Sequence, residues 1–310
     1  MALQQQQSLA PTYPPTSPTK PHMSIVTLRN LLKIPDIDLT DLATILNSSH
    51  SISAKERNKA ESAFTTTQLR QWFLTTTSRE LLVHGEYRGR GTHYISALSL
   101  VYATLTQGLR ARQAQYISLV FFCGRHVGDD DDDDDDDNSK RVISGGRAMV
   151  RSFIIQLLRQ YSFDSVFSAE HMPPGAGDDF WERVRKGNVR QLCVLFGWLV
   201  RKLPEQVVVV CIMDGISHYE TDEYEGDMLL VLRAVLVLRA VLELVRDDGV
   251  GAAVKLLATS PRTTDVVQEE FKDEGGCFLS MAEVRPMTRG GRSPLLSEGS
   301  SGGDDSAGSD

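Results

Sequence analysis

Two short segments of this 310-residue chain carry residues whose types and spacing suit phosphate and metal chemistry. The first is Gly85-Glu86-Tyr87-Arg88-Gly89-Arg90-Gly91-Thr92, which joins a short apolar run to a helical pattern. A glycine-rich turn at a helix N-terminus presents backbone N–H groups to phosphate oxygens. The complete phosphate-loop pattern needs Gly, four residues, Gly-Lys and then Ser or Thr. Counted from Gly85, Arg90 stands at the second glycine, Gly91 stands at the lysine, and only Thr92 matches. Losing the lysine removes a charge-assisted bond worth about 1.5–3 kcal/mol. Arg88 or Arg90 would have to replace it through a planar guanidinium fork. The plainer reading is a Gly/Arg-rich turn capped by Thr92.

The second segment closes the most apolar run of the chain, QVVVVCIM over residues 206–213, and reads Asp214-Gly215-Ile216-Ser217-His218-Tyr219-Glu220. A carboxylate at the end of a buried strand can hold Mg²⁺ through water beside a nucleotide. Asp214 and Thr92 are therefore the candidate metal ligands. Ser217 and His218 stand where a second carboxylate would orient an attacking water, which leaves Glu220 as the candidate for that task. The alternative for Asp214 is a turn or helix cap. After a further run, VKLLATS, come Pro261 and Arg262; Thr259, Ser260 and Arg262 are candidate contacts to a terminal phosphate, and Ser-Pro is also ordinary loop chemistry.

Other chemistry is poorly represented. Cys123 and His126 have local metal-ligand spacing, but no second Cys/His pair completes a four-ligand zinc site. Four cysteines, three of them inside apolar runs, read as small buried hydrophobes rather than a disulfide framework. Residues 129–137 are nine consecutive aspartates, read as a solvated, self-repelling insertion. Set them aside and the formal charge of −8 becomes +1, so the remainder has no general pull toward nucleic acid or anionic lipid. No Gly-x-Ser-x-Gly elbow or His-Glu-x-x-His helix occurs.

The elements that must position these residues alternate. Strand-like runs fall at 80–84, 116–123, 206–213, 254–259 and 277–281. Apolar residues at helical spacing fall between them: Ile95 to Leu105, Val150 to Leu158, Leu192 to Val200, and 228–245. Uninterrupted apolar strands imply burial on both faces, the habit of a parallel sheet covered by helices. The spacing thus predicts a three-layer α/β domain with a mainly parallel five-stranded sheet, over residues 56–286. Residues 23–55 are expected to be helical or a linker; residues 1–22 and 287–310 have the composition of disordered termini. VLRAVL at 231–236 repeats at 237–242, which turns the downstream apolar stripe by about 120°. The N-terminus lacks the apolar core of a signal peptide, and Arg233, Arg239 and Glu243 interrupt 228–245, so a cytoplasmic protein is expected.

With these residues placed, the chain resembles fungal proteins related to the STAND/NACHT class of P-loop NTPases, including those labelled nephrocystin-3-like at their N-terminal domain. The shared blocks are LLVHG (81–85), FFCGRH (121–126), MVRSFIIQLL (149–158), LCVLFGWLVRKLP (192–204), CIMDGISHYE (211–220) and KLLATSP (255–261). The resemblance covers about residues 56–285. It implies a nucleotide-binding α/β fold, a role in signalling or self/non-self recognition through a protein partner or larger assembly, and ATP or GTP with Mg²⁺ as ligands of intact members. Nucleotide contacts would fall on Gly85, Arg88, Gly89, Arg90, Gly91, Thr92, Ser260 and Arg262. This chain departs from the pattern in its missing lysine, in the lack of an acidic neighbour at Asp214, and in having no helical lid or repeat array after residue 286. The leading expectation is a degenerate member, a regulatory or interaction module with weak or no nucleotide binding. The rival is a slow ATPase or GTPase using Arg88 or Arg90 in place of lysine. Neither reading involves nucleic acid or membrane.

Overall fold

The computed structural model describes residues 24–85, 95–112, 115–127, 143–163, 172–173, 175–246, 252–262, 264–271 and 278–286, with residues 240–246 described by backbone alone. Arg88, Gly89, Arg90, Gly91, Thr92, the nine aspartates and both termini lie outside these residues.

The five apolar runs form five strands: β1 Arg79–His84, β2 Tyr116–Phe122, β3 Val208–Asp214, β4 Ala253–Ser260 and β5 Phe278–Ser280. They make one sheet in the order β2-β3-β4-β1-β5, with every neighbouring pair parallel. β4 is buried along its whole length, as a strand covered on both faces must be. The protein is a three-layer α/β fold.

Period-2 alternation divides each strand between two apolar layers. One layer holds Phe121, Cys211, Met213, Leu256 and Ala258 under α6 Gly145–Gln160, α7 Asp178–Arg185, α8 Val189–Val200, α9 Glu225–Arg246 and the short α10 Val266–Glu270. The other holds Leu81, Val83, Phe122, Ile212 and Leu257 under α3 Ala54–Ser62, α4 Thr67–Leu74 and α5 Ala97–Arg110. The expected helices are all present. α5, however, starts at Ala97 behind the N-cap Ser96, not at Ile95. The duplicated hexapeptide is absorbed as helix length, about 9 Å of the 22-residue α9. The rotation is visible between the copies: Val231 is buried and its counterpart Val237 is exposed.

Residues 24–53 contribute α1 Ile25–Leu32 and α2 Ile37–Asn47. Leu28, Leu32 and Ile37 join the first layer, Leu42 and Ile45 the second. The N-terminal segment therefore passes round the β2 edge of the sheet. That edge is also masked by α6, whose Gln156 donates to Val120 O and accepts from Val120 N, both at 2.8 Å. Gln160 treats Ser118 the same way at 3.0 and 2.9 Å. Side-chain amides thus take the hydrogen bonds that a sixth strand would need.

Candidate functional site

β1 leads into α5 on one face, whereas its neighbour β4 leads into α10 on the other. In open α/β sheets, such a divergence at the carboxyl ends of adjacent strands makes the crevice in which ligands bind. The two loops meet there directly. Gly85 N donates to Ser260 O at 2.7 Å, and a Cβ on Gly85 would lie 3.3 Å from that same oxygen. Glycine permits this close approach.

Register aligns Phe122 with Asp214 across β2–β3, and Val83 with Thr259 across β1–β4. Asp214 follows Ile212 by two residues and Thr259 follows Leu257 by two, so both side chains emerge on the α5 face. Here Ser99 Oγ donates to Asp214 Oδ2 and Thr259 Oγ1 donates to Asp214 Oδ1, each at 2.6 Å. Gly215 N donates to Thr259 Oγ1 at 2.8 Å, with Gly215 in the left-handed region at φ 70°. Ser99 is held in turn by a reciprocal cap with Ser96 at the first turn of α5.

Asp214 is only 5% exposed, and burial raises its carboxyl above the usual carboxylate range while the two hydroxyl bonds pull it back down. The Tyr102 hydroxyl, one turn further along α5, is fully buried without a hydrogen-bond partner among the described residues; burial and then Asp214 raise it. Cys123, at the end of β2, is raised well above its ordinary value by burial and then by Asp214. These groups are neutral neighbours of a sequestered acid.

Of the expected site residues, Asp214 and Gly85 lie at the crevice. Ser260 accepts at its carbonyl from Gly85, and its hydroxyl bonds with Arg262 O and N, so both of its polar groups serve the turn after β4. Arg262 is exposed, and its charge adds to burial in lowering His218. Glu220 Oε1 accepts from Val267 N at 2.9 Å, at the start of α10. Arg88, Gly89, Arg90, Gly91 and Thr92 lie outside the described residues. The hydroxyl that reaches Asp214 from α5 is Ser99, which sequence reasoning passed over. Its signal was the Ser96-x-x-Ser99 spacing ahead of the apolar stripe.

A carboxylate and two hydroxyls are the oxygen donors a hard cation takes. In this arrangement, however, both carboxylate oxygens accept protein hydroxyls, and among the described residues no cationic side chain bonds to the cluster. No group of three His, Cys, Asp or Glu suited to a metal occurs among the described residues. These residues hold one another. His126, weighed with Cys123 as a zinc ligand, binds instead to Asp41, with Nε2 2.6 Å from Oδ2. No protein-family model, curated protein or solved structure matches the chain.

Proposed function

We propose that the protein is a regulatory or interaction module on a P-loop NTPase-like scaffold, with weak or no nucleotide binding and no efficient hydrolysis. The observation that carries this reading is Asp214, a strand-end acid placed for metal chemistry whose two oxygens are both taken by Ser99 and Thr259. Opening the cluster would cost those two bonds, each to a buried and charge-capable acceptor. The missing loop lysine acts in the same direction, since a triphosphate would lose its main cationic partner. Support for the scaffold comes from the switch in strand order beside Gly85, and for the family from the sequence blocks given above. Work through a protein partner follows from that resemblance. Among the described residues no helix is long and apolar enough to cross a membrane.

Titration of the purified chain with ATP, ADP and GTP in the presence of Mg²⁺, followed by analysis of heat-released nucleotide, tests the proposal. The expected result is no tight binding, no co-purifying nucleotide and no nucleotide-dependent rise in melting temperature. Tight binding that disappears in both Ser99→Ala and Asp214→Asn would overturn the proposal, and phosphate released from bound ATP or GTP would instead establish the slow NTPase.

A further inference from the structure

Outside the crevice, α8 is apolar on the side turned away from the sheet as well as on the side that packs against it. Leu192 to Val200 reads LCVLFGWLV, nine residues with no charged or amide side chain. Leu192, Leu195, Phe196 and Leu199 bury the inner side. A surface helix ordinarily sets polar residues opposite such a stripe. Here Arg190, Val194, Gly197 and Arg201 follow at i, i+4, i+7 and i+11 along α8 and its C-cap, so they share the outer stripe. Val194 is 42% exposed there. α9 lies alongside: Cys193 Sγ donates to Leu230 O at 3.9 Å, and a Cβ on Gly197 would lie 3.9 Å from Leu238 Cδ1. At that seam Gly197 offers no side chain, and the apolar face continues on α9 through half-buried Ala234 to Val237, 59% exposed. The charges on the α8 stripe are positive. Arg201 folds back along its helix, with Nη1 3.4 Å from where a Gly197 Cβ would stand. Arg190 and Arg201 are exposed, and neither makes an ion pair among the described residues. Arg233 on α9 is already held by Glu270 at 2.7 Å. Asp227, on the first turn of α9, adds to burial in raising the Cys193 thiol but pairs with neither arginine.

We infer that the outer face of α8 and α9 docks an acidic amphipathic helix of a protein partner. Its apolar stripe lies on Val194, Gly197 and Val237, and its rim carboxylates pair with Arg190 and Arg201 through guanidinium forks. The inference rests on the reading of the chain as an interaction module and names the chemistry of its partner. A second copy is the poorer occupant. A two-fold axis sets α8 on α8, and in either orientation arginine then meets arginine, with no acid on the α8 stripe to answer it. Anionic lipid is poorer too, because about four to eight clustered cations mark a lipid-binding surface, and this stripe holds only Arg190 and Arg201.

Fluorescence anisotropy with the full chain tests the face. The probe is a labelled helical peptide of about 18 residues, long enough to span α8, with leucine on one side and glutamate along both edges. A lysine-edged twin and a scrambled glutamate peptide are the controls. The glutamate helix is expected to bind, and both controls to bind about tenfold more weakly or less. Val194→Asn and Arg201→Glu, exposed changes checked for folding by circular dichroism, are each expected to weaken the glutamate helix about tenfold or more. Arg201→Glu should also improve binding of the lysine-edged twin. Equal affinity for the two helices, no binding of the glutamate helix, or wild-type affinity in Val194→Asn overturns the inference. Dimerisation in sedimentation that Val194→Asn abolishes overturns it in favour of a second copy. Capture by phosphatidylglycerol vesicles that Arg201→Glu abolishes overturns it in favour of lipid. No nucleotide enters these measurements, so failure of the docking face leaves the nucleotide titration to stand or fall by itself.

Discussion

Asp214 shows how one residue type can carry opposite chemistries according to what surrounds it. At the end of β3 it faces Ser99 and Thr259 instead of water, and burial favours its protonated form against the two hydroxyl bonds that favour the charge. The sign of its effect on stability follows. A folded-state value above the unfolded one contributes stability at pH below the ordinary carboxylate range, and that contribution is lost as pH rises through the raised value. Asparagine cannot ionise. The melting temperature of Asp214→Asn relative to wild type should therefore climb as pH rises from the ordinary carboxylate range, measured by scanning fluorimetry in a pH series. A difference that stays flat or falls would show that the hydroxyls fully stabilise the carboxylate.

Lys255 illustrates the same dependence at the scale of elements. A lysine in the middle of β4 interrupts an apolar run, yet it is only 2% exposed. The reason lies in α4, whose last carbonyls have no intrahelical donors. Lys255 Nζ donates to Trp72 O, Phe73 O and Thr75 O at 2.5, 2.8 and 2.6 Å, so one ammonium caps a helix end that the sheet has buried. Its charge also lies 5.7 Å from the Trp72 ring, and Trp72 Nε1 donates back to Leu256 O at 3.0 Å. Lys255→Met preserves much of the apolar stem and leaves three carbonyls without this donor. It should cost about 2–4 kcal/mol, read from urea unfolding; a loss within 0.5 kcal/mol, about the level of an ordinary surface change, would show that the cap is dispensable.

At the scale of the whole molecule, the N-terminal helices are bound to the sheet by charge as well as by apolar packing. Asp38 of α2 is 1% exposed and pairs with Arg110 of α5 at 2.8 Å and, more closely, with Arg159 of α6. It thus bridges the two helical layers across the β2 edge. Asp36 adds a second contact to Arg159, and Asp41 holds both Arg125 and His126 in the turn after β2. Removing one member of a buried charge network strands the others. Asp38→Ala should therefore lower the free energy of unfolding by about 3–5 kcal/mol, whereas Asp36→Ala, at a half-exposed position, should cost about 1 kcal/mol or less. Similar losses in the two variants would mean that the layers are held by apolar packing alone.

The sequence by itself determined the strands and the layers, because burial on both faces demands uninterrupted apolar runs, and helical stripes advertise which side faces the sheet. It also marked Asp214, since an acid directly after VVVVCIM can only stand at a strand end. What it could not supply was the company each polar residue keeps. Ser99 is 115 residues from Asp214, Lys255 is 180 or more from the carbonyls it caps, and Asp41 is 85 from His126. No local spacing encodes such distances along the chain. They arise when strand order and register bring α5, α4 and α2 against particular ends of the sheet. Tertiary structure alone therefore decided that the strand-end acid is closed by hydroxyls and that the strand lysine is a helix cap.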